Sequence, residues 1–407
     1  MNILFLLPRY SENPKDSTLE KELVHEFRDK GNTVYVSTIR EKKENKVTQI
    51  RNESGVSVLR IKTGNFRDNV SKIEKGITKV MIPFIFYKNI KKYIVKNKID
   101  LVITSTPAMN SSYLHMKLKK LFSCKVMLIM WDIFPQNAVD LKILKNKFLI
   151  NNFENKFKIS LETSDYITTM SEGNKSFIDK RYPQISKRSF ILKNWSKIKP
   201  LVKSNSNLIR KKYNLLNDNF ICVFGGNIGW LQEPLNLIEL AESIKDNDII
   251  KFLFIGSGTE KEKIQRISLE KELKNVIFME RVPREEYEEL ISSCDLGLIS
   301  LHRKFTVPNF PSRTTDYFKL GLPILASLDK GSIDDYGKFL VEEAKAGFVG
   351  KAGITEELKE KLLQLYNNKE LRLQLGKNGR KYYEDNLGVD KAYKTIMNKI
   401  NGDGFNV

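Results

Sequence analysis

The sequence predicts two α/β domains, each built on a parallel sheet, in a single chain of 407 residues. Three observations carry that prediction. Apolar runs of strand length alternate with amphipathic stretches of helix length, which is the rhythm of βαβ units. The rhythm breaks once, between Trp195 and Leu216, where Pro and Ser stand among charges, and then starts again. The length exceeds what one core serves, because single cores rarely grow past about 250–300 residues.

Taken in order, the first half opens on the strand NILFLL, a helix near Ser17–Lys30, Gly31 and the strand TVYVSTI. DLVITS, KVMLIMW, DYITTMS and SFILKN follow as further strands. WSKIKPLVKSNSNLIRKKYNLL reads as an interdomain linker. The second half repeats the alternation: NFICVFGGNIG, a helix near Leu235–Ile244, IKFLFIGSG, a helix near Lys261–Leu273, NVIFMERV, a helix near Arg284–Ser292, LGLIS, a short helix, LPILAS and GFVG. No short-period repeat is present, which excludes a solenoid.

Charge separates the halves. Residues 1–200 carry 38 Lys and Arg against 19 Asp and Glu, whereas residues 201–407 carry 31 against 30. A surplus confined to one half points to an anionic partner for that half. Within it, VSKIEKGITKVMIPFIFYKNIKKYIVKNKI (Val70–Ile99) mixes eight Lys and one Glu with Ile, Phe and Tyr. Such a stretch either packs on a sheet or lies on an anionic membrane surface. No apolar run approaches the roughly 20 residues of a membrane span, and MNILFLLPRY has neither the basic start nor the cleavage site of a signal peptide, so a cytoplasmic protein is expected. Cys124, Cys222 and Cys294 sit far apart in strand-like runs and read as buried free thiols.

The second half holds the candidate chemistry. Ligands of open α/β sheets bind at the carboxyl ends of the strands, and two glycine loops fall there: Gly225–Gly229 and Gly256–Gly258. Their amides could approach a phosphate, although neither fits a Walker or dinucleotide fingerprint, and glycines after strands also serve tight turns. A third loop reads NFPSRTTDYFKLGLPILAS (Asn309–Ser327). Thr314 or Thr315 is expected to cap a helix whose first turn contains Asp316, a carboxylate able to accept two hydrogen bonds from a vicinal diol such as a ribose. Arg313 supplies a planar cation for a diphosphate.

These segments resemble the donor-binding half of retaining GT-B glycosyltransferases of family GT4, especially a bacterial surface-polysaccharide subgroup. PNFPSRTTDYFKLGLPILAS is similar to its Pro-Ser-Lys, acid, Tyr and Gly-x-Pro signature, and GGNIG to its Gly-Asn-Ile-Gly loop. FLFIGSGTEKEKI, NVIFMERVPREEYEEL, DYITTMSEGNKSFI and LKNW extend the likeness over most of the chain. The resemblance implies two facing Rossmann-like domains with an interdomain cleft: residues 1–195 for the acceptor, rejoined by a C-terminal helix within 388–407, and residues 196–387 for the nucleotide sugar. It implies donor contacts from Gly226, Asn227, Gly256, Gly258, Arg281, Val282, Phe310, Ser312, Arg313 and Asp316, with no metal and no cofactor beyond a UDP-sugar substrate.

The chain departs from that pattern in places. Pro308 stands where the first of two paired acids would be, and Trp230 and Glu233 replace the Arg and Lys that follow the glycine loop. Arg281, Arg303 and Arg313 are then the candidates to replace them at the diphosphate. The N-terminal Gly-Gly loop is missing, and Ser17 and Thr18 start a capped helix instead; with His302 and Arg303 they are expected as diphosphate or acceptor contacts. Asp132, at the end of the strand KVMLIMW, is the candidate catalytic acid beside Arg313; the alternative is a helix cap or surface turn. Asp246–Asp248 mimics a metal motif at the wrong edge of the sheet. The implied activity is transfer of a hexosyl or N-acetylhexosaminyl group to a polyprenyl-diphosphate-linked saccharide at the inner face of the membrane. A UDP-sugar 2-epimerase shares the architecture but needs acid/base histidines, and only three His are present. A nucleic-acid-binding protein has charge alone in its favour and no recognisable module.

Overall fold

The computed structural model describes residues 1–14, 16–67, 70–106, 111–201 and 205–402. The chain forms two compact units. The first comprises Met1–Pro135, Leu144–Lys193 and the residues from Ala392 on; the second comprises Gln136–Ile143 and Asn194–Lys391.

The first unit contains β1 (Asn2–Leu7), β2 (Thr33–Glu41), β3 (Gln49–Glu53), β4 (Val56–Thr63), β5 (Leu101–Ser105), β6 (Lys125–Ile129), β7 (Tyr166–Thr169) and β8 (Ser189–Ile191). They form one sheet in the order β3-β4-β2-β1-β5-β6-β7-β8, parallel except for the β3/β4 pair. Continuous apolar runs such as NILFLL are what a sheet covered on both faces requires. Phe86 and Ile90, from the helix Lys72–Tyr93, pack with Leu4, Leu59 and Val102 on one of those faces.

The second unit contains β9 (Phe220–Asn227), β10 (Ile250–Ser257), β11 (Val276–Met279), β12 (Leu296–Ser300), β13 (Ile324–Leu328) and β14 (Gly347–Lys351). Their order is β11-β10-β9-β12-β13-β14, all parallel. Without the β3 edge strand, both sheets show the doubly wound order in which the first strand lies between the second and the fourth. The chain reverses direction across the sheet at β1/β5 and at β9/β12, and the crevice at the carboxyl ends there is where ligands bind in such folds.

Two local expectations change. Part of the expected linker is the helix Ser206–Lys212, while residues 202–204 lie outside the described residues. Arg210 anchors that helix to the second unit: Nε and Nη2 donate to the Ser293 carbonyl at 2.9 and 2.8 Å, and Nη2 reaches Asp295 at 2.8 Å. A Lys/Arg-rich stretch therefore packs, because carbonyls and a carboxylate satisfy the guanidinium. The helix holding Asp316 begins at Arg313, with Ser312 as N-cap and no side-chain cap. Thr314 and Thr315 lie inside it and are buried, and Thr314 Oγ1 bonds Tyr336 Oη at 2.8 Å instead of capping.

Candidate functional site

At the carboxyl edge of the second sheet, β9 runs straight into Gly225, Gly226 and Asn227. The Tyr287 ring fills the space a side chain at position 225 would need: a Cβ there would lie 2.0 Å from the phenol oxygen. Gly256, at φ +142°, lets the end of β10 touch this loop, since its Cβ would lie 2.0 Å from the Gly226 carbonyl oxygen. A Cβ on Gly258 would meet the Ile228 carbonyl at 2.3 Å. The loop pair is closed by Ile228 N–H donating to Ser257 O at 2.9 Å and Glu260 N–H to Ile228 O at 3.0 Å. Close approach of the two loops to each other thus accounts for Gly256 and Gly258, and the Tyr287 ring for Gly225.

Arg313, on the first turn of its helix, points under that loop. Its Nε donates to the Gly225 carbonyl and its Nη2 to the Asn227 carbonyl at 2.8 Å, while the guanidinium lies 4.0 Å from the Phe224 ring centroid. Neither bond uses Nη1. Burial presses its pKa below the usual arginine value. Tyr317, one turn further, is buried with its hydroxyl 3.0 Å from the Val223 carbonyl and 3.2 Å from that of Leu298, bracing β9 against β12.

Asp316 faces the helix Arg284–Ser292. Both carboxylate oxygens pair with Arg284, Oδ2 with Nη1 at 3.1 Å and Oδ1 with Nη2. Arg284 Nε also donates to Glu288 at 2.7 Å, and Glu288 accepts from Lys319 at 2.7 Å. Burial opposes charge on Arg284 and Glu288, but their partners outweigh it: the arginine pKa is raised and the glutamate pKa lowered. The carboxylate of Asp316 is held in one orientation by an arginine fork.

Arg303 and His302 follow β12. Arg303 Nε pairs with Glu233 at 2.9 Å and Nη2 donates to Asn236 at 2.8 Å, so this cation fastens the β12 loop to the segment after β9. His302 Nδ1 accepts from Lys304 N–H at 3.1 Å, and burial lowers its pKa despite nearby Glu233. Arg281 and Ser312 are exposed, and Val282 is half-buried. Phe310 is a core residue, its ring 5.1 Å from Tyr336 and 4.8 Å from Phe339.

In the first unit, Thr18 caps the helix Leu19–Asp29 by accepting from Lys21 N–H at 3.2 Å, and Ser17 Oγ donates to Glu22. Both hydroxyls are therefore engaged in starting a helix. Asp132 lies just past β6; its backbone N–H donates to Thr106 Oγ1 at 3.1 Å, and burial raises the pKa of its carboxyl group. Cys124, Cys222 and Cys294 are buried free thiols. Asp246 and Asp248 flank Asn247 ahead of β10, at the amino edge of the sheet. Among the described residues no group of three or more His, Cys, Asp or Glu is placed to hold a metal ion.

Sequence reasoning missed Arg284 and Tyr287, whose signal was the run RVPREEYEEL, and Lys261. That lysine is buried with Nζ 2.9 Å from Gly256 O, 3.1 Å from Met279 O and 2.6 Å from Glu280, tying the ends of β10 and β11 together. Asp329, just past β13, is also buried. Its Oδ1 accepts from Ser332 N–H at 3.0 Å, and burial raises its pKa.

Two doubly wound parallel sheets in one chain, the second ending in paired glycine loops, define the GT-B class of fold. Residues 205–382 match the family described as Glycosyl transferases group 1. The probable glycosyltransferase WbjE of Pseudomonas aeruginosa is 23% identical over 65% of this chain and 66% of that protein. The capsular polysaccharide biosynthesis glycosyltransferase CapM of Staphylococcus aureus is 24% identical over 49% of this chain and 52% of its own length. The chain thus spans about two thirds or less of these relatives. Among solved structures, sucrose-phosphate synthase of Thermosynechococcus elongatus superposes with a TM-score of 0.74 at 16% identity, covering 99% of each chain. HepE of Anabaena, solved with UDP-glucose, gives 0.69 at 12% identity over 99% of this chain and 100% of that one. The family match and these relatives support a glycosyltransferase.

Proposed function

We propose that the chain is a retaining glycosyltransferase that takes a sugar from a UDP-sugar bound at the carboxyl edge of the second sheet. The acceptor is a polyprenyl-diphosphate-linked saccharide, and the product feeds surface-polysaccharide synthesis at the inner face of the cell membrane. The observation that carries the donor half is the setting of Asp316. A carboxylate offers about four lone-pair sites; Arg284 takes one on each oxygen, and the remaining pair suits the two hydroxyls of a ribose. Arg313 props the Gly225–Asn227 backbone and keeps Nη1 for the diphosphate. The capsular polysaccharide role of CapM and the UDP-glucose bound to HepE support the polysaccharide and donor readings.

In this reading the acceptor oxygen bonds the anomeric carbon as the bond to the diphosphate oxygen breaks, and the acceptor proton passes to the leaving diphosphate. Positioning and charge stabilisation then supply most of the rate, with Asp132 hydrogen-bonding the acceptor. The test is mass spectrometry, with proton NMR of the anomeric signal, of products from a panel of UDP- and GDP-sugars with a lipid-linked acceptor. A glycosylated acceptor with the anomeric configuration kept is expected. Conversion of the UDP-sugar to its epimer without acceptor, or no product with any donor, would overturn the proposal.

A further inference from the structure

The helix Lys72–Tyr93 of the first unit is apolar on two opposite faces. Thr78, Ile82, Phe86 and Ile90, spaced every four residues, are buried, the last three in the core beside the sheet. The other face carries Ile73, Ile77, Val80 and Phe84, which are 76%, 61%, 65% and 46% exposed. Their spacing of four, three and four residues keeps them on one stripe of an α-helix, turned away from the buried stripe. Exposed Met81, and Met116 on the adjoining helix Ser112–Phe122, widen it, and Phe84 contacts Tyr113 of that helix at 4.5 Å between ring centroids. Scattered exposed apolar residues are ordinary; four in register are a surface awaiting an occupant.

Charge identifies that occupant. The single acid of the helix is Glu74; of its exposed lysines, Lys72, Lys75 and Lys79 fall around the helix on the side of the buried stripe, whereas Lys88, Lys91 and Lys92 lie within or beside the exposed one. A second copy of the chain meeting this face through a two-fold axis would set these lysines against their own copies. A bilayer with anionic headgroups complements both features: the acyl zone takes the stripe and the phosphates take the lysines. Among the described residues no helix is long and apolar enough to cross a membrane, so the contact is with the surface of the bilayer.

We propose that this face inserts into an anionic bilayer, with Ile73, Ile77, Val80 and Phe84 in the acyl boundary and Lys88, Lys91 and Lys92 at the headgroups. Attachment then has an apolar part that salt leaves in place and a lysine part that salt screens. The proposal deepens the lipid-linked acceptor reading but stands on its own readout. The full chain is co-sedimented with vesicles of phosphatidylglycerol and phosphatidylcholine, and of phosphatidylcholine alone, at low and high salt. Preferential binding to the anionic vesicles, part of it surviving high salt, is expected. Ile77→Asp with Phe84→Asp should lower partitioning about tenfold or more at both salts. Lys88→Gln with Lys91→Gln and Lys92→Gln should lose about fivefold per lysine, at low salt only. Thermal unfolding checks that the variants fold, and Ile77→Ser with Phe84→Ser replaces the aspartates if they do not. UDP affinity should be unchanged in every variant, which separates this outcome from failure of the donor assignment. Equal binding to both vesicle types, undiminished binding by the apolar variants, or self-association that those variants abolish would each overturn the proposal.

Discussion

The two sheets share a strand order and use their carboxyl edges differently. In the first unit the cations at that edge are paired with acids: buried Arg40 with Glu12 at 2.5 Å, buried Arg60 with both oxygens of Glu53 at 2.9 and 2.7 Å, and half-buried Arg67 with Glu41 at 3.4 Å. In the second unit Arg313 is turned instead onto the backbone carbonyls of Gly225 and Asn227, while Lys261 joins the carbonyls of Gly256 and Met279 to the carboxylate of Glu280. A cation held by carbonyls keeps most of its charge for a ligand, whereas one held by a carboxylate has spent it. Arg284 and Arg303 of the second unit are also paired with acids, at Asp316 and Glu233, so the difference rests on Arg313, and the first unit's surplus charge lies on helices such as Lys72–Tyr93. Net charge per domain locates a partner; it does not locate the site.

The largest effect should come from breaking the loop contact that only the second unit has. Gly256→Ala drives a Cβ into the Gly226 carbonyl and should cost the second unit roughly 3 kcal/mol. Urea unfolding of the full chain should show its transition shifted and that of the first unit unmoved. Next, Asp316→Ala should weaken UDP binding by roughly 1.5–3 kcal/mol, the range for a hydrogen bond to a charged group; unchanged affinity by calorimetry would remove it from the donor site. Arg313→Lys keeps the charge but neither spans both carbonyls nor stacks on Phe224, so a loss of about 1–2 kcal/mol in UDP binding is expected. An affinity equal to wild type would mean that charge alone is used there.

The smallest effect concerns the first edge. Burial raises the pKa of Asp132, so the folded chain holds a proton that the unfolded chain has released. Stability from this group therefore falls as pH rises from the ordinary carboxylate value through the higher folded value. Asp132→Asn should be slightly more stable than wild type at neutral pH and equal to it in acid, while turnover falls. Melting temperatures across that range, set beside activity, check both halves of the statement.

Periodicity made most of the fold legible, because parallel strands covered on both faces are written as unbroken apolar runs. The strands missed are β3 and β4. QIRNE is mostly polar, as an edge strand can be, and VSVLRIKT has charges within it; Arg60, inside β4, is buried only because Glu53 on β3 pairs with it. Such a pair is invisible until the strands are aligned. The helix inside the linker stretch is hidden for a related reason: Arg210, which anchors it, donates to the nearby carbonyls of Asn217 and Asn219 and also to that of Ser293, more than 80 residues away. At the site, Asp316 and Arg313 were named from a motif, but that one is held by Arg284 and the other by a glycine loop depended on which helices lie side by side. The contraction at Gly225 needs Tyr287, a residue 62 positions on, and no local pattern announces it.

The helix Val389–Gly402 returns from Ala392 on to the first unit, where Tyr393 stacks edge-on against Phe27 with ring centroids 4.8 Å apart and Lys399 reaches the Lys187 carbonyl at 3.3 Å. During synthesis this reverses the usual order of completion. Domains generally fold as they emerge, N-terminal first, at about 5–20 residues per second. Here the first unit lacks a piece until residue 393 has left the ribosome, after the whole of the second has emerged. Phe27 is therefore without its cover for tens of seconds, roughly the time needed to make the intervening residues. A chain with this thread order reaches its complete first domain last.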